Sequence, residues 1–160
     1  MGKSGPLRIC VNESALAVPE PTYFFAHDEK VIARVAKAWP ESCTAVLQPL
    51  RAEYAVVRGI PASAVMTYYL RHGRDEVLDM LPEEAAQNSI LYGHSGTVHS
   101  ALHFCRLLGV EDVSFVGFDG TRGYAPSLKL KGSGTNHAAI RQQSIRIAER
   151  LGMSYAFHGE

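Results

Sequence analysis

The clearest folding pattern in the sequence lies in its second half. A short apolar run, Ser89 to Tyr92, leads into a glycine-containing turn, and a helical pattern from about Thr97 to Leu108 follows. A second apolar run, Val113 to Val116, comes directly after that helix. The order strand, helix, strand builds parallel sheets through crossover connections. This half of the chain therefore predicts an α/β fold with Ile90–Tyr92 and Val113–Val116 as neighbouring interior strands.

The rest of the chain extends this pattern. Further strands are predicted at Leu7–Val11, Thr22–Phe25, Cys43–Leu47 and Ser154–Phe157. Two further helices are predicted, one capped by Asp28 and one capped by Asn136. In the middle, Tyr54–Val57 and Ala64–Leu70 are interpreted as strands on either side of a turn, and Asp75–Leu81 as a short helix. We therefore expect a Rossmann-like three-layer sandwich with a mainly parallel central sheet, in one domain over residues 1–160.

The composition excludes some classes of protein. The 16 basic and 16 acidic residues cancel, so a protein held to nucleic acid mainly through phosphate contacts is not expected. No apolar run is long enough to cross a bilayer and the N-terminus lacks a signal-peptide core, so we expect a cytoplasmic protein. Cys10, Cys43 and Cys105 lack metal-ligand spacing and are expected to be buried thiols. A local anion site is left open by a cluster of basic residues: Lys129, Lys131, Arg141, Arg146 and Arg150.

Three loops follow predicted strands and are expected to meet at one sheet edge, where α/β proteins bind ligands. They are Asn12-Glu13-Ser14, His94-Ser95-Gly96-Thr97 and Phe118-Asp119-Gly120. The second loop opens a helix, where free backbone N–H groups and the helix dipole favour phosphate or carboxylate. Gly93 and Gly96 are interpreted as leaving room for a ligand, with Ser95 and Thr97 as hydroxyl donors. Glycine, serine and threonine are also common in any such turn.

These loops resemble a known family. The resemblance is carried by Ser95-Gly96-Thr97, Leu108-Gly109, Ser114 to Asp119 and Gly123-Tyr124-Ala125. They are similar to the second half of the bacterial family 42 sialyltransferases and to the related domain of unknown function 115, whose archaeal members include a 6-hydroxymethyl-dihydropterin diphosphokinase. In the first half, Val11 to Ser14 resembles the asparagine strand that contacts the nucleotide, and Tyr23 to Asp28 resembles a strand ending in aspartate.

The resemblance implies a nucleotide or nucleotide-sugar substrate and transfer of a sugar to an acceptor hydroxyl. Its implied nucleotide contacts are Asn12, Ser14, Ser95, Gly96, Thr97, Asp119 and Tyr124, and its implied catalytic residues are His137, as general base, and Asp119. No cofactor or metal is implied. A pterin diphosphokinase-like enzyme is the alternative from the same resemblance.

The resemblance has one departure. The families carry a Gly-Pro-Ser loop between a strand and a helix upstream of the asparagine strand, whereas here Gly5-Pro6 precedes the first predicted strand. This departure leaves open a homo-oligomer in which a second subunit supplies the loop. It also leaves open a nucleotide-binding module without catalytic activity.

Two motifs support other chemistry. Gly93-His94-Ser95-Gly96-Thr97 nearly matches the G-x-S-x-G elbow of serine hydrolases, with Asp119 and either His137 or His158 completing a triad, although its fifth residue is threonine. His99 and His103 are four residues apart on a helix, which is a metal-ligand spacing. Because both lie off the apolar stripe, a polar, solvent-facing side of the helix is the favoured interpretation.

Overall fold

Helices and strands alternate along the chain, which is mixed α/β with mostly parallel strands in small sheets. The computed structural model describes residues 6–117 and 137–158. The elements in chain order are β1 (Ile9–Val11), β2 (Tyr23–Phe25), α1 (Glu29–Ala36), β3 (Thr44–Leu47), α2 (Pro49–Val57), β4 (Val65–Thr67), β5 (Tyr69–His72), α3 (Pro82–Gln87), β6 (Ile90–Gly93), α4 (Thr97–Leu107), β7 (Asp112–Val116), α5 (His137–Arg150) and β8 (Ser154–His158).

The chain divides into an N-terminal unit, Met1–Tyr69, and a C-terminal unit, Leu70–Glu160. The single domain over residues 1–160 stays a prediction. None of the helices in the described ranges is long and apolar enough to span a membrane.

The N-terminal unit contains a four-stranded parallel sheet in the order β1-β2-β3-β4. Its core side chains come from the strands and from α1 and α2, and include Phe24, Ile32, Val35, Ala45, Leu47 and Ala55. Asp28 caps α1 as the sequence predicted, because its carboxylate accepts the backbone N–H of Lys30 at 2.8 Å. Burial of these apolar side chains is the main force that holds the sheet and its helices together.

The middle of this unit corrects one secondary-structure prediction. Tyr54–Val57, expected as a strand, is the last part of α2. The helix begins at Pro49, whose fixed φ and missing N–H suit a first helical position. Ala52 and Ala55 face the core at helical spacing, and Gly59, at φ +104°, follows the end of the helix. The β propensity of Val56 and Val57 is overridden because these residues complete a helix that starts upstream.

The segment expected as one strand over Ala64–Leu70 is divided. Val65–Thr67 forms β4 in the N-terminal sheet, and Tyr69–His72 forms β5, which pairs with β6. Between them the Tyr68 side chain is buried, and its backbone N–H donates to the carbonyl of Leu47 at 3.1 Å. The expected helix over Asp75–Leu81 is a 3₁₀ helix over Asp75–Asp79.

The C-terminal unit places α4 against β6, α3 and α5. β7 and β8 pair in parallel, from Asp112 opposite Ser154 to Val116 opposite His158. The predicted pairing of Ile90–Tyr92 with Val113–Val116 is wrong within the described residues, since β6 is hydrogen-bonded to β5 and β7 to β8. Alternating apolar runs locate strands, but they do not identify which strand lies beside which.

All three cysteines are buried and free, as predicted. Burial is the main cause that raises the pKa of the Cys43 thiol to about 12 and that of the Cys105 thiol to about 11. At neutral pH these thiols are therefore protonated and behave as small apolar side chains.

Candidate functional site

The turn between β6 and α4 is the centre of the candidate site. β6 ends at Gly93, His94 and Ser95 are exposed, and α4 begins at Thr97. Gly96 occupies the N-cap position with extended backbone angles and has no side chain that could cap the helix. A helix of this length leaves backbone N–H groups at its start that a side chain, water or anion must satisfy. The exposed surface of the turn is therefore suited to an anionic group.

The two glycines of the turn are explained by packing. A Cβ atom at Gly93 would lie 2.7 Å from the side chain of Leu70, and one at Gly96 would lie 3.0 Å from Cγ2 of Ile140. The protein's own side chains therefore fill the space that each Cβ would occupy. The interpretation that these glycines leave room for a ligand is wrong for that space. Thr97, expected as a hydroxyl donor, is buried.

The N-terminus of α5 lies beside this turn. His137 is the first residue of α5, and Ile140, one turn later, is the residue that packs on Gly96. Residues three apart on a helix share a face and are separated by about 4.5 Å along its axis. The carbonyl of Ile140 also accepts a bond from Nε2 of His99 at 3.4 Å. His137, which is half-buried, thus belongs to the helix face that packs towards the start of α4.

The two helices run in the same direction, so their N-termini lie at the same end. At their other ends, His103 and Leu107 of α4 line one hollow together with Arg150 of α5 and the adjacent Leu151. Parallel helices add the positive ends of their dipoles at the shared end. The field near Gly96 therefore favours negative charge more than one helix alone would.

His99 and His103 are buried, which corrects the expectation of a polar, solvent-facing side of α4. Their side chains are 0% and 2% exposed, and burial is the largest cause that lowers the pKa of each to about 4. Both imidazoles are therefore neutral at pH 7. His103 accepts the backbone N–H of Tyr92 on Nδ1 at 3.0 Å, which puts its proton on Nε2. In the part of the chain that the structure describes, no cluster of three or more potential metal ligands is present.

The Ser95 hydroxyl contacts the imidazole of its neighbour in sequence, His94. Ser95 Oγ lies 3.2 Å from Nδ1 of His94, whose ring packs edge-on against His99 at 6.0 Å. His158, one of the two triad candidates, instead contacts Ser114 Oγ through Nε2 at 3.3 Å. A serine–histidine contact of the length expected for a hydrolase thus exists, but it involves a residue that sequence analysis did not assign to a triad.

The predicted residues Asn12 and Ser14 belong to the N-terminal unit. Asn12 follows β1 in a left-handed conformation at φ +56°. The Ser14 hydroxyl donates to the carbonyl of Val11 at 2.8 Å and accepts its N–H at 2.9 Å, so it stabilises its own turn. A shared pocket for Asn12 and Ser95 stays a prediction, and Asp119 and Tyr124 lie outside the described residues. The structure brings together Ser95, Gly96, Thr97 and the first turn of α5.

Sequence analysis noted Glu13 and His27 after the first two strands but did not predict their partners in the N-terminal unit. Glu13 is buried and its carboxylate pairs with Arg34 at 2.5 Å. His27 follows β2, and its Nε2 lies 3.1 Å from the hydroxyl of Tyr68, which follows β4. Arg51 donates through Nε to the carbonyl of His27 at 3.0 Å. The sequence indicated that polar residues follow β1 and β2. It did not indicate that Tyr68 lies beside them, because the end of β4 was not predicted.

The basic cluster in α5 is largely neutralised within the protein. Arg146 and Arg150 pair with Asp75 at 3.4 and 3.1 Å, and Arg150 also pairs with Asp79 at 2.5 Å. Arg141 lies over the ring of Phe157 at 4.2 Å. The anion site that sequence analysis left open at these arginines is therefore not supported at Arg146 and Arg150, whose charges already have carboxylate partners.

Comparison of the chain with protein-family models, with curated protein sequences and with solved structures gave no match. Its function therefore has to be inferred from the geometry of the site.

Proposed function

We propose that this protein binds the phosphate of a nucleotide or nucleotide-sugar at the β6–α4 turn and transfers the sugar to an acceptor hydroxyl. The observation that supports this most is the packing of Ile140 on Gly96, at 3.0 Å from the position of a Cβ. Ile140 lies one helical turn after His137, so this contact supports a role for His137 near the turn. A Rossmann-like three-layer sandwich with a mainly parallel sheet is part of the same proposal.

In the proposed reaction, His137 acts as the general base and takes the proton of the acceptor hydroxyl. The acceptor oxygen forms a bond to the anomeric carbon of the sugar, and the bond from that carbon to the phosphate oxygen breaks. The phosphate leaves with the electron pair. Its negative charge is stabilised by the N-terminal N–H groups of α4 and by the Ser95 hydroxyl. From the resemblance, Tyr124 contacts the phosphate and Asp119 orients the nucleotide.

The first test is binding. CMP, CMP-sialic acid and other nucleotides are titrated into the full chain by calorimetry, with Ser95→Ala as the variant and Ser114→Ala as a matched control on β7. Loss of one hydrogen bond to a charged group should weaken nucleotide binding by about tenfold to a hundredfold in Ser95→Ala. Ser114→Ala should bind as the wild type does. Equal nucleotide affinities of Ser95→Ala and wild type would show that the phosphate does not bind at this turn.

The second test separates binding from catalysis. His137→Ala should lower turnover by roughly 10²- to 10⁴-fold while nucleotide affinity changes little, because general-base catalysis acts in the transition state. Nucleotide binding without sugar transfer by the wild type would favour the binding module without catalytic activity. Binding and turnover that fall together in His137→Ala would make His137 a ligand contact and not the base.

A serine hydrolase is the second candidate, and it is favoured by the 3.2 Å distance between Ser95 Oγ and Nδ1 of His94. An imidazole at this distance can accept the serine proton as the oxygen attacks a carbonyl carbon. A fluorophosphonate probe should then label Ser95, and His94→Gln should abolish the labelling. Unlabelled Ser95 in the folded wild type would exclude this candidate.

A further inference from the structure

The hollow at the opposite end of α4 from the candidate site lies within the C-terminal unit. Its volume is about 210 Å³. It is lined by Leu78, Asp79, Met80, Leu81, Pro82, His103, Arg106, Leu107, Arg150 and Leu151. From Gly96 to Arg106 the helix rises by about 15 Å, so this hollow is separate from the β6–α4 turn.

The charged side chains around the hollow leave one positive charge uncompensated. Arg150 donates to both carboxylate oxygens of Asp79, at 2.9 and 2.5 Å. Arg106 forms no ion pair with any described residue. Arg150 is also paired with Asp75 at 3.1 Å, so Arg106 is the guanidinium of this wall without a carboxylate partner among the described residues, and a monoanion would balance its charge.

A buried hydrogen-bond donor also belongs to the wall. His103 is 2% exposed and lines the hollow. Since Nδ1 accepts from the backbone of Tyr92, the proton is on Nε2, and Nε2 makes no hydrogen bond with another described residue. Nε2–H can therefore donate to an acceptor atom placed in the hollow.

The remaining wall is apolar, with six aliphatic or sulfur-containing side chains around these polar groups: Leu78, Met80, Leu81, Pro82, Leu107 and Leu151. We propose that this hollow binds a small organic monocarboxylate with an apolar body, whose carboxylate is held by Arg106 and by Nε2–H of His103. The apolar body then packs against the leucines.

The test uses hexanoate as the probe, with hexan-1-ol and inorganic phosphate as controls, each titrated into the full chain and followed by ¹H–¹⁵N NMR. Hexanoate should shift the signals of His103, Arg106 and Leu151. Hexan-1-ol keeps the apolar body without the charge and should bind at least about tenfold more weakly, since a hydrogen bond to a charged group is lost. Phosphate, without an apolar body, should leave these signals unshifted. Equal binding of hexanoate and hexan-1-ol would overturn the proposal.

Two variants locate the contact. Arg106→Gln and His103→Asn should each weaken the binding of hexanoate by about tenfold or more. His103→Asn keeps an acceptor for the N–H of Tyr92 and removes the Nε2 donor. Arg71→Gln is the matched control, because Arg71 is an exposed arginine of the same unit outside the hollow. Unchanged affinity in Arg106→Gln, or an equal loss in Arg71→Gln, would show that hexanoate binds elsewhere or through net charge alone.

Discussion

The two buried histidines of α4 should make the C-terminal unit sensitive to mild acid. Each has a pKa lowered from 6.5 to about 4, with burial as the largest cause. Between these values the unfolded chain binds a proton that the folded chain excludes, so folding loses stability as the pH falls. The stabilisation is complete above pH 6.5 and is lost progressively down to pH 4.

The magnitude follows from the pKa difference. Each pH unit below 6.5 costs about 1.4 kcal/mol per histidine. At pH 5 the loss is therefore about 2 kcal/mol for each of His99 and His103, or about 4 kcal/mol for both. That is a large part of the 5–15 kcal/mol that usually stabilises a folded protein.

Hydrogen exchange followed by mass spectrometry is the appropriate assay, because it reports on α4 itself. Trp39 fluorescence reports on the N-terminal unit, where the indole packs edge-on against Phe24 at 5.9 Å. The free energy of opening for residues 97–107 should fall by about 4 kcal/mol from pH 7 to pH 5. In His103→Asn the fall should be about 2 kcal/mol.

The control is His72→Asn, since His72 is exposed and its imidazole is hydrated in both the folded and the unfolded chain. This variant should show the same pH dependence as the wild type. If His103→Asn lost stability between pH 7 and pH 5 as steeply as the wild type, the reasoning from burial would be refuted.

Two further predictions concern packing and charge. Gly93→Ala should lower the free energy of unfolding by about 1–3 kcal/mol, because its Cβ would lie 2.7 Å from the side chain of Leu70. In a double-mutant cycle, adding Leu70→Ala should reduce the effect of Gly93→Ala. Arg34→Ala should cost about 3 kcal/mol in urea denaturation followed by Trp39 fluorescence, because it leaves the buried carboxylate of Glu13 unpaired. In Arg34→Ala the loss should largely disappear when Glu13→Gln is added, and a loss that persists would contradict the role of the charge.

The parts of the fold that were predicted from the sequence depend on local signals. Asp28 marks the start of α1, because a carboxylate can accept the free N–H groups of the first turn. Apolar runs located β1, β2 and β3, and helical spacing located α4. Pairing between β6 and β5 could not be predicted in this way, since it is set by contacts between distant residues such as Gly73 and Gly93.

The burial of α4 shows why the apolar stripe of a helix identifies only part of its buried surface. A single apolar stripe predicts one buried face, but α4 packs against β6, α3 and α5. His99 and His103 lie off the apolar stripe and are nevertheless enclosed. Each has a hydrogen bond inside the protein, to Ile140 and Tyr92 respectively, while Nδ1 of His99 is buried without a partner among the described residues. A single sequence does not show how many neighbours surround a helix.

The β6–α4 turn shows how one motif can satisfy two requirements. Small residues at Gly93 and Gly96 are needed for the approach of Leu70 and Ile140, so their presence alone does not indicate a ligand. Thr97 is buried beside them. A ligand at this turn must therefore be recognised by exposed His94 and Ser95 and by backbone N–H groups, and the field of two adjacent helix N-termini selects an anion among the groups they could bind. Packing by Leu70 and Ile140 therefore constrains the backbone of the turn that carries those donors.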